Sequence, residues 1–359
     1  MAQEKLRAVV IGAGALGEHV IDALNHCQLA ELVGVADRDG SAAEAAGGEL
    51  CPTYTDSRQA LIEPKPDVVL LALPPRAAAE TLQQALRRDL HVWTGAPLAR
   101  NLPEAVEMCR RTRRADVKLV VGTPRRFIEV YRRARQFAKQ LGEIYLVNAQ
   151  YLFDWGEPLG WRGSMAAGGG ATLQLGYHMI DLLVCIAGMP ETVYCITGTG
   201  QRARRSDDQA IYDTDDTAVA VCRYRGQATA TVTVSRCFSP VSEGLTAYCE
   251  GGVLSVDAAR CVVRDRNGNM LESFQADETP GDLFARMIDD FVAAVETDAA
   301  RYDASAWESL LTLAAVSAAY LSDQTNQPEL PARLLRNYDV TGEDCLKLAP
   351  AREPPREAQ

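Results

Sequence analysis

Leu6-Arg7-Ala8-Val9-Val10-Ile11 runs directly into Gly12-Ala13-Gly14-Ala15-Leu16-Gly17. The first six residues form a short apolar run that ends on β-branched side chains, which predicts a strand. A helical pattern follows from Glu18 to Leu24. A second apolar run, Leu32 to Ala36, ends at Asp37, twenty residues beyond Gly17. Strand, G-x-G-x-x-G, helix, strand and acid at this spacing make the dinucleotide-binding fingerprint. Gly12 permits the tight turn, Gly14 lets the backbone approach a pyrophosphate, and Gly17 lets the helix pack close to the strand. The helix N-terminus, with Ala15 and Leu16 in its first turn, offers unpaired N–H groups and a positive dipole end to the phosphates. Asp37 is placed to accept hydrogen bonds from both ribose hydroxyls, and an exposed acid at a strand end has no packing role. It favours NAD, because a 2′-phosphate would meet a like charge. Arg38 beside it could receive that phosphate, which makes NADP the second option.

The chain has 359 residues, more than one core usually serves, so two domains are expected. A net charge of −11 argues against nucleic acid as a partner. Arginines do cluster, at Arg110, Arg111, Arg113 and Arg114 and again at Arg125, Arg126, Arg132, Arg133 and Arg135. They fall on helical stretches and read as solvated faces. No signal-peptide h-region and no apolar run of about 18 residues is evident, so neither secretion nor a membrane span is expected. The ten cysteines show no C-x-x-C pair or other metal spacing. They read as reduced thiols of a cytoplasmic protein, with no metal site.

Strands and helices alternate as far as residue 123. Val68 to Leu73, His91 to Thr94 and Lys118 to Val121 read as strands, Ala77 to Arg87 and Leu102 to Arg113 as helices. That is a doubly wound parallel α/β unit over residues 1–123. The pattern then changes. Glu143 to Phe153, Val193 to Thr199, Ala218 to Tyr224, Ala228 to Ser235, Leu245 to Glu250 and Cys261 to Arg266 read as strands with few helices between them. This predicts an α+β unit over residues 124–340 with a large, open, mostly antiparallel sheet, its helices being Ala171 to Ala187, Asp282 to Val295 and Ala304 to Ser322. A sheet covered on one side leaves the other to be buried, so a homodimer or homotetramer through that sheet is expected. Residues 341–359 are expected to form a flexible tail.

A second signature lies in Trp161-Arg162, followed by Gly168-Gly169-Gly170-Ala171-Thr172-Leu173-Gln174-Leu175-Gly176-Tyr177-His178-Met179-Ile180-Asp181. With the opening fingerprint, this resembles the Gfo/Idh/MocA family of oxidoreductases over about residues 5 to 335. The resemblance implies a Rossmann domain followed by a sheet domain, NAD(P), and oxidation or reduction of a sugar or polyol carbon. It places Leu73 and Pro74, and then Gly95, Ala96 and Pro97, around the nicotinamide. It places His178, Tyr177 and Gln174 at the reacting carbon and Arg125, Trp161 and Arg162 around the substrate. The chain departs from the family where the chemistry is done. The family's Glu-Lys-Pro is Gly95-Ala96-Pro97 here, and its aspartate four residues before the histidine is Gln174.

His178 therefore remains as acid or base, since imidazole titrates near neutrality. Gln174 could hold its ring without supplying charge, and Arg162 could clamp a carboxylate or phosphate in bidentate fashion. Asp181 reads as a structural acid. The expectation is an NAD(P)-dependent oxidoreductase acting on a small, carbohydrate-like molecule, a sugar, polyol or related carbonyl or imine, without the family lysine. Reduction is the easier direction for such a site, because a carbonyl needs only a proton donor. The alternative is a protein of the same fold that binds the nucleotide without turnover, as a sensor or regulator. A third reading keeps NAD bound for a transient oxidation that serves eliminative or hydrolytic chemistry on a sugar.

Overall fold

The computed structural model describes residues 4–156, 160–199, 212–238, 240–298 and 302–347. It contains two sheets. The first is built from β1 (Leu6–Ile11), β2 (Ala30–Ala36), β3 (Thr53–Tyr54), β4 (Val68–Leu71), β5 (His91–Gly95) and β6 (Leu119–Gly122), all parallel in the order β3-β2-β1-β4-β5-β6. This is the Rossmann order, and it reverses between β1 and β4. The central strands β1 and β4 are apolar and buried over most of their length because both faces are covered. Ala8, Val10, Val68 and Leu70 point to one side, Val9, Ile11, Val69 and Leu71 to the other, as the two-residue period of a strand requires.

The second sheet comprises β7 (Ile144–Leu152), β8 (Thr192–Gly198), β9 (Thr217–Arg223), β10 (Thr229–Ser235), β11 (Ser242–Cys249), β12 (Gly252–Asp257), β13 (Arg260–Asp265) and β14 (Met270–Gln275). Its order is β14-β13-β12-β11-β7-β10-β9-β8, antiparallel except between β7 and β10. The expected fold class is the one observed. β12 and the edge strand β14 were not expected: β14 is exposed along nearly its whole length and carries no clear alternation. The helices Tyr177–Ala187 and Ala306–Thr325 are buried along most of their length in the core that covers one face of this sheet. The other face shows Tyr145, Ile196, Val219, Val221 and Tyr248 to solvent.

A division near residue 123 describes the sheets but not the cores. The helix Pro280–Glu296, started by a Thr279–Asp282 capping box with Pro280 in its first turn, crosses back to the first sheet. Its Phe284, Met287, Ile288, Phe291 and Val292 pack with Val20, Ile21 and Leu24 of the helix Ala15–His26 over Ala8, Val10, Val68 and Leu70. The expected tail also needs correction. The chain folds into a helix, Gly342–Lys347, that buries Cys345, a side chain the polar composition around it concealed. Residues 348–359 lie outside the described residues. The stretch Met165–Ala187 is long and apolar enough to cross a bilayer, contrary to expectation, but 83% of its most apolar window is buried within the protein. No disulfide joins cysteines among the described residues.

Candidate active site

The parallel sheet brings the carboxyl ends of β1, β4, β5 and β6 to one edge, where the strand order reverses. Gly12 sits there at φ +102°, and a Cβ on it would lie 2.3 Å from the carbonyl oxygen of Ala72. A Cβ on Gly17 would lie 1.9 Å from the Gly12 carbonyl oxygen, so helix and turn touch through backbone alone. Gly14 differs. It caps the helix Ala15–His26, its carbonyl accepts from Glu18 N–H at 3.0 Å, and a Cβ on it would meet nothing within 4 Å. The open space before Gly14, faced by the first-turn amides of Ala15, Leu16 and Gly17, fits a pyrophosphate.

Asp37 does more than wait for a ribose. Its Oδ2 accepts from the Ala13 amide at 2.8 Å and its Oδ1 from the Asp39 amide at 2.9 Å. The acid thus ties the glycine turn to the end of β2, a structural role that its exposed position in the sequence did not suggest. Arg38 is exposed. Leu73 packs beside Gly12, and Gly95 beside Leu16. Pro74 precedes the helix Pro75–Leu86 as its cap residue. Ala96 follows β5, with its amide donating to Gly122 O at 3.2 Å, and precedes the buried Pro97 through a cis peptide. The sequence-expected cofactor residues therefore converge on one edge, apart from solvent-facing Arg38.

The second cluster is held against this edge by the glycine-rich loop. A Cβ on Gly168 would lie 2.8 Å from Pro75 Cβ, and Arg100 Nη1 donates to Ala166 O at 2.7 Å. Asp215 accepts from the Thr172 amide and hydroxyl, both at 2.6 Å, and from Tyr320 Oη at 2.9 Å. These bonds anchor a π-helical turn, Thr172–Gly176, of the kind that often marks functional sites. His178 follows it, in the first turn of Tyr177–Ala187. Its Nδ1 is buried and has no hydrogen-bond partner among the described residues. Burial, and then the positive charge of Arg125, push the imidazole well below its ordinary range, so it is neutral near pH 7.

Three expectations change. Gln174 does not hold the His178 ring: its Nε2 points to Gly168 O at 3.5 Å and its Oε1 is buried without a partner. Tyr177 is a core residue, fully buried, with its hydroxyl pushed up by burial and by Asp181. Arg125 is not open to substrate. Its Nε and Nη2 grip the two carboxylate oxygens of Glu243 at 2.9 and 2.6 Å, and its guanidinium lies 4.4 Å over the Tyr151 ring. Burial works against that charge, but Glu243 outweighs it and keeps Arg125 charged. Tyr131 donates to the same Glu243 at 2.9 Å. Nothing local in the sequence marks Glu243, which lies 118 residues beyond Arg125.

Asp181 is the structural acid expected. It accepts from Arg126 Nε and Nη2, both at 2.7 Å, and from Thr312 at 2.9 Å, and Arg126 also pairs with Glu308. Arg126 is therefore buried, not part of a solvated face. Trp161 and Arg162 lie on the short turn Gly160–Gly163, with Trp155 added by the structure: the Arg162 guanidinium is 4.9 Å from the Trp161 ring and 5.1 Å from Trp155.

Comparison with known proteins supplies the family and the fold. Residues 6–123 match the oxidoreductase family model with an NAD-binding Rossmann fold, and residues 131–255 match the GFO/IDH/MocA C-terminal domain. The chain belongs to the GFO/IDH/MocA family, and the cofactor of its Rossmann domain is NAD. It is 32% identical over 199 residues to D-glucoside 3-dehydrogenase of Escherichia coli (strain K12), a match covering 53% of this chain and 56% of that one. It is 25% identical to myo-inositol 2-dehydrogenase of Thermotoga maritima over 237 residues, 64% of this chain and 69% of the other. A levoglucosan dehydrogenase, solved with NADH and levoglucosan, superimposes with a TM-score of 0.83 over 91% of this chain and all of its own, at 17% identity.

Proposed function

We propose that the protein oxidises a hydroxyl of a carbohydrate-like small molecule with NAD, using His178 as the proton acceptor and no lysine. The observation that carries this reading is His178, placed directly after the glycine-rich turn with an Nδ1 that no described residue engages. Oxidation needs a group to take the hydroxyl proton, and a ring nitrogen outside the fold's own hydrogen bonds offers one, so this reading takes oxidation rather than the reduction expected from the sequence. NAD, when bound, supplies the hydride acceptor. His178 takes the hydroxyl proton as the C–H hydride leaves, and a carbonyl results. Burial, and then the charge of Arg125, which Glu243 fixes in place, hold the imidazole's proton affinity down. Asp37 and the Gly12–Gly17 turn hold the adenosine and pyrophosphate side, and the acid at Asp37 favours NAD over NADP. The named activities of the glucoside and inositol dehydrogenases support a sugar or polyol as substrate.

A second reading, nucleotide binding without turnover, draws support from one feature. With Ala96 and Gln174 in the family's lysine and aspartate positions, no group among the described residues is bonded to His178 to relay its proton. NADH formation at its absorbance band, over a panel of sugars and polyols, separates the two. Substrate-dependent NADH that disappears in His178→Ala supports oxidation. Tight NADH binding with no turnover supports the second reading. Assembly through the uncovered face of the second sheet, with Ile196, Val219 and Val221 at its surface, belongs to the same proposal, and light scattering would report a monomer if it is wrong.

A further inference from the structure

Arg162 stands at the far end of an aromatic ladder that starts at Arg125. Arg125, whose charge bears on His178, lies over Tyr151. Tyr151 neighbours Phe153 at 6.4 Å between ring centroids, Phe153 meets Trp155 edge-on at 5.5 Å, and Trp155 and Trp161 flank the Arg162 guanidinium. Tyr151, Phe153 and Trp155 are two residues apart at the end of β7, so the alternation of an extended chain sends them to one side.

The guanidinium itself is unusual. Arg125, Arg126 and Arg236 each hold a carboxylate, those of Glu243, Asp181 and Asp216. Arg162 is half-buried and holds none among the described residues. Burial, and then the neighbouring Arg236, weaken its hold on its proton. Its backbone is fixed all the same. Arg162 O accepts from Arg236 Nη1 at 2.6 Å and from Thr214 Oγ1 at 3.4 Å, and Gly169 packs against it so closely that a Cβ would lie 2.2 Å away. Two indoles and a fixed backbone orient a planar fork that holds no carboxylate among the described residues, which suits two-point recognition of an oxyanion.

We propose that Arg162 is the subsite for an anionic substituent, a carboxylate or a phosphate, carried by the substrate. This deepens the carbohydrate reading above and rests on it. The test is calorimetric titration of the NAD-saturated protein with D-glucose, D-glucuronate and D-glucose 6-phosphate. The anionic sugars are expected to bind roughly tenfold tighter than glucose, less so as salt is raised. The preference should vanish in Arg162→Gln and survive in part in Arg162→Lys, which keeps the charge but loses the fork. The two anions separate the carboxylate source from the phosphate. Equal binding of neutral and anionic sugars, no binding of either anion, or a preference that persists in a folded Arg162→Gln overturns the proposal. If Arg162→Gln does not fold, the salt dependence and Arg162→Lys decide it. Turnover of neutral sugars without anion preference would leave the oxidoreductase reading standing and this one fallen. Arg162-dependent anion binding without turnover would do the reverse.

Discussion

The carboxylate of Asp37 accepts a hydrogen bond from the amide of Ala13 at 2.8 Å, so the acid that closes the fingerprint also holds the glycine turn in place. On the proposed reading, binding and shape are joined in one side chain. Asp37→Ala is expected to weaken NAD by about 1–3 kcal/mol, because it strips ribose of a partner and frees the turn. Asp37→Asn, which keeps one acceptor oxygen, should lose less. Fluorescence titration with NADH measures both, and an Ala variant with unchanged affinity would remove Asp37 from the cofactor site.

Gly14 and Gly17 should fail in different ways. A methyl group at Gly17 runs into the Gly12 carbonyl, so Gly17→Ala is expected to cost about 3 kcal/mol or more in stability, seen in urea denaturation. A methyl group at Gly14 enters open space, so Gly14→Ala should fold normally and lose NADH binding. A Gly14→Ala variant that binds NADH as well as wild type would place the pyrophosphate elsewhere.

Arg126→Met should be the most damaging of the core changes. It would leave Asp181 and Glu308 buried without their cation, which typically costs about 3–5 kcal/mol. Chemical denaturation would report this. A loss under about 1 kcal/mol would mean that water reaches the pair.

Stability should fall as pH drops below about 6.5, through the histidines kept neutral by the fold. His178 is held down by burial and Arg125, His91 by burial and Lys118. The unfolded chain takes up protons there that the folded one does not. Each such histidine therefore removes up to about 1.4 kcal/mol per pH unit between its unfolded and folded values. His178→Gln should make the melting temperature less steep with pH between about 6.5 and 5. An unchanged slope would show that His178 already accepts a proton in the folded state.

The Rossmann half was legible because its signals are local. Turn glycines, apolar runs and an acid at fixed spacing each need only their neighbours, and Gly12, Gly17 and Asp37 stand where that spacing requires. The histidine after the glycine-rich loop was visible for the same reason. What surrounds it was not. Glu243 reaches Arg125 across 118 residues and takes the guanidinium that the sequence offered to substrate. Asp215 anchors the turn before His178 from 43 residues away. Tyr177 and His178 are adjacent in the chain, yet a helix turns consecutive side chains about 100° apart, so one enters the core and the other faces Arg125. Sequence by itself determined the fold class and the glycine turn, and singled out His178 as a candidate, because backbone geometry and periodicity act over a few positions. Only the tertiary structure decided which of the described charges are paired, and that burial and Arg125 push the His178 imidazole down, because burial and Coulombic partners come from segments far apart in the chain.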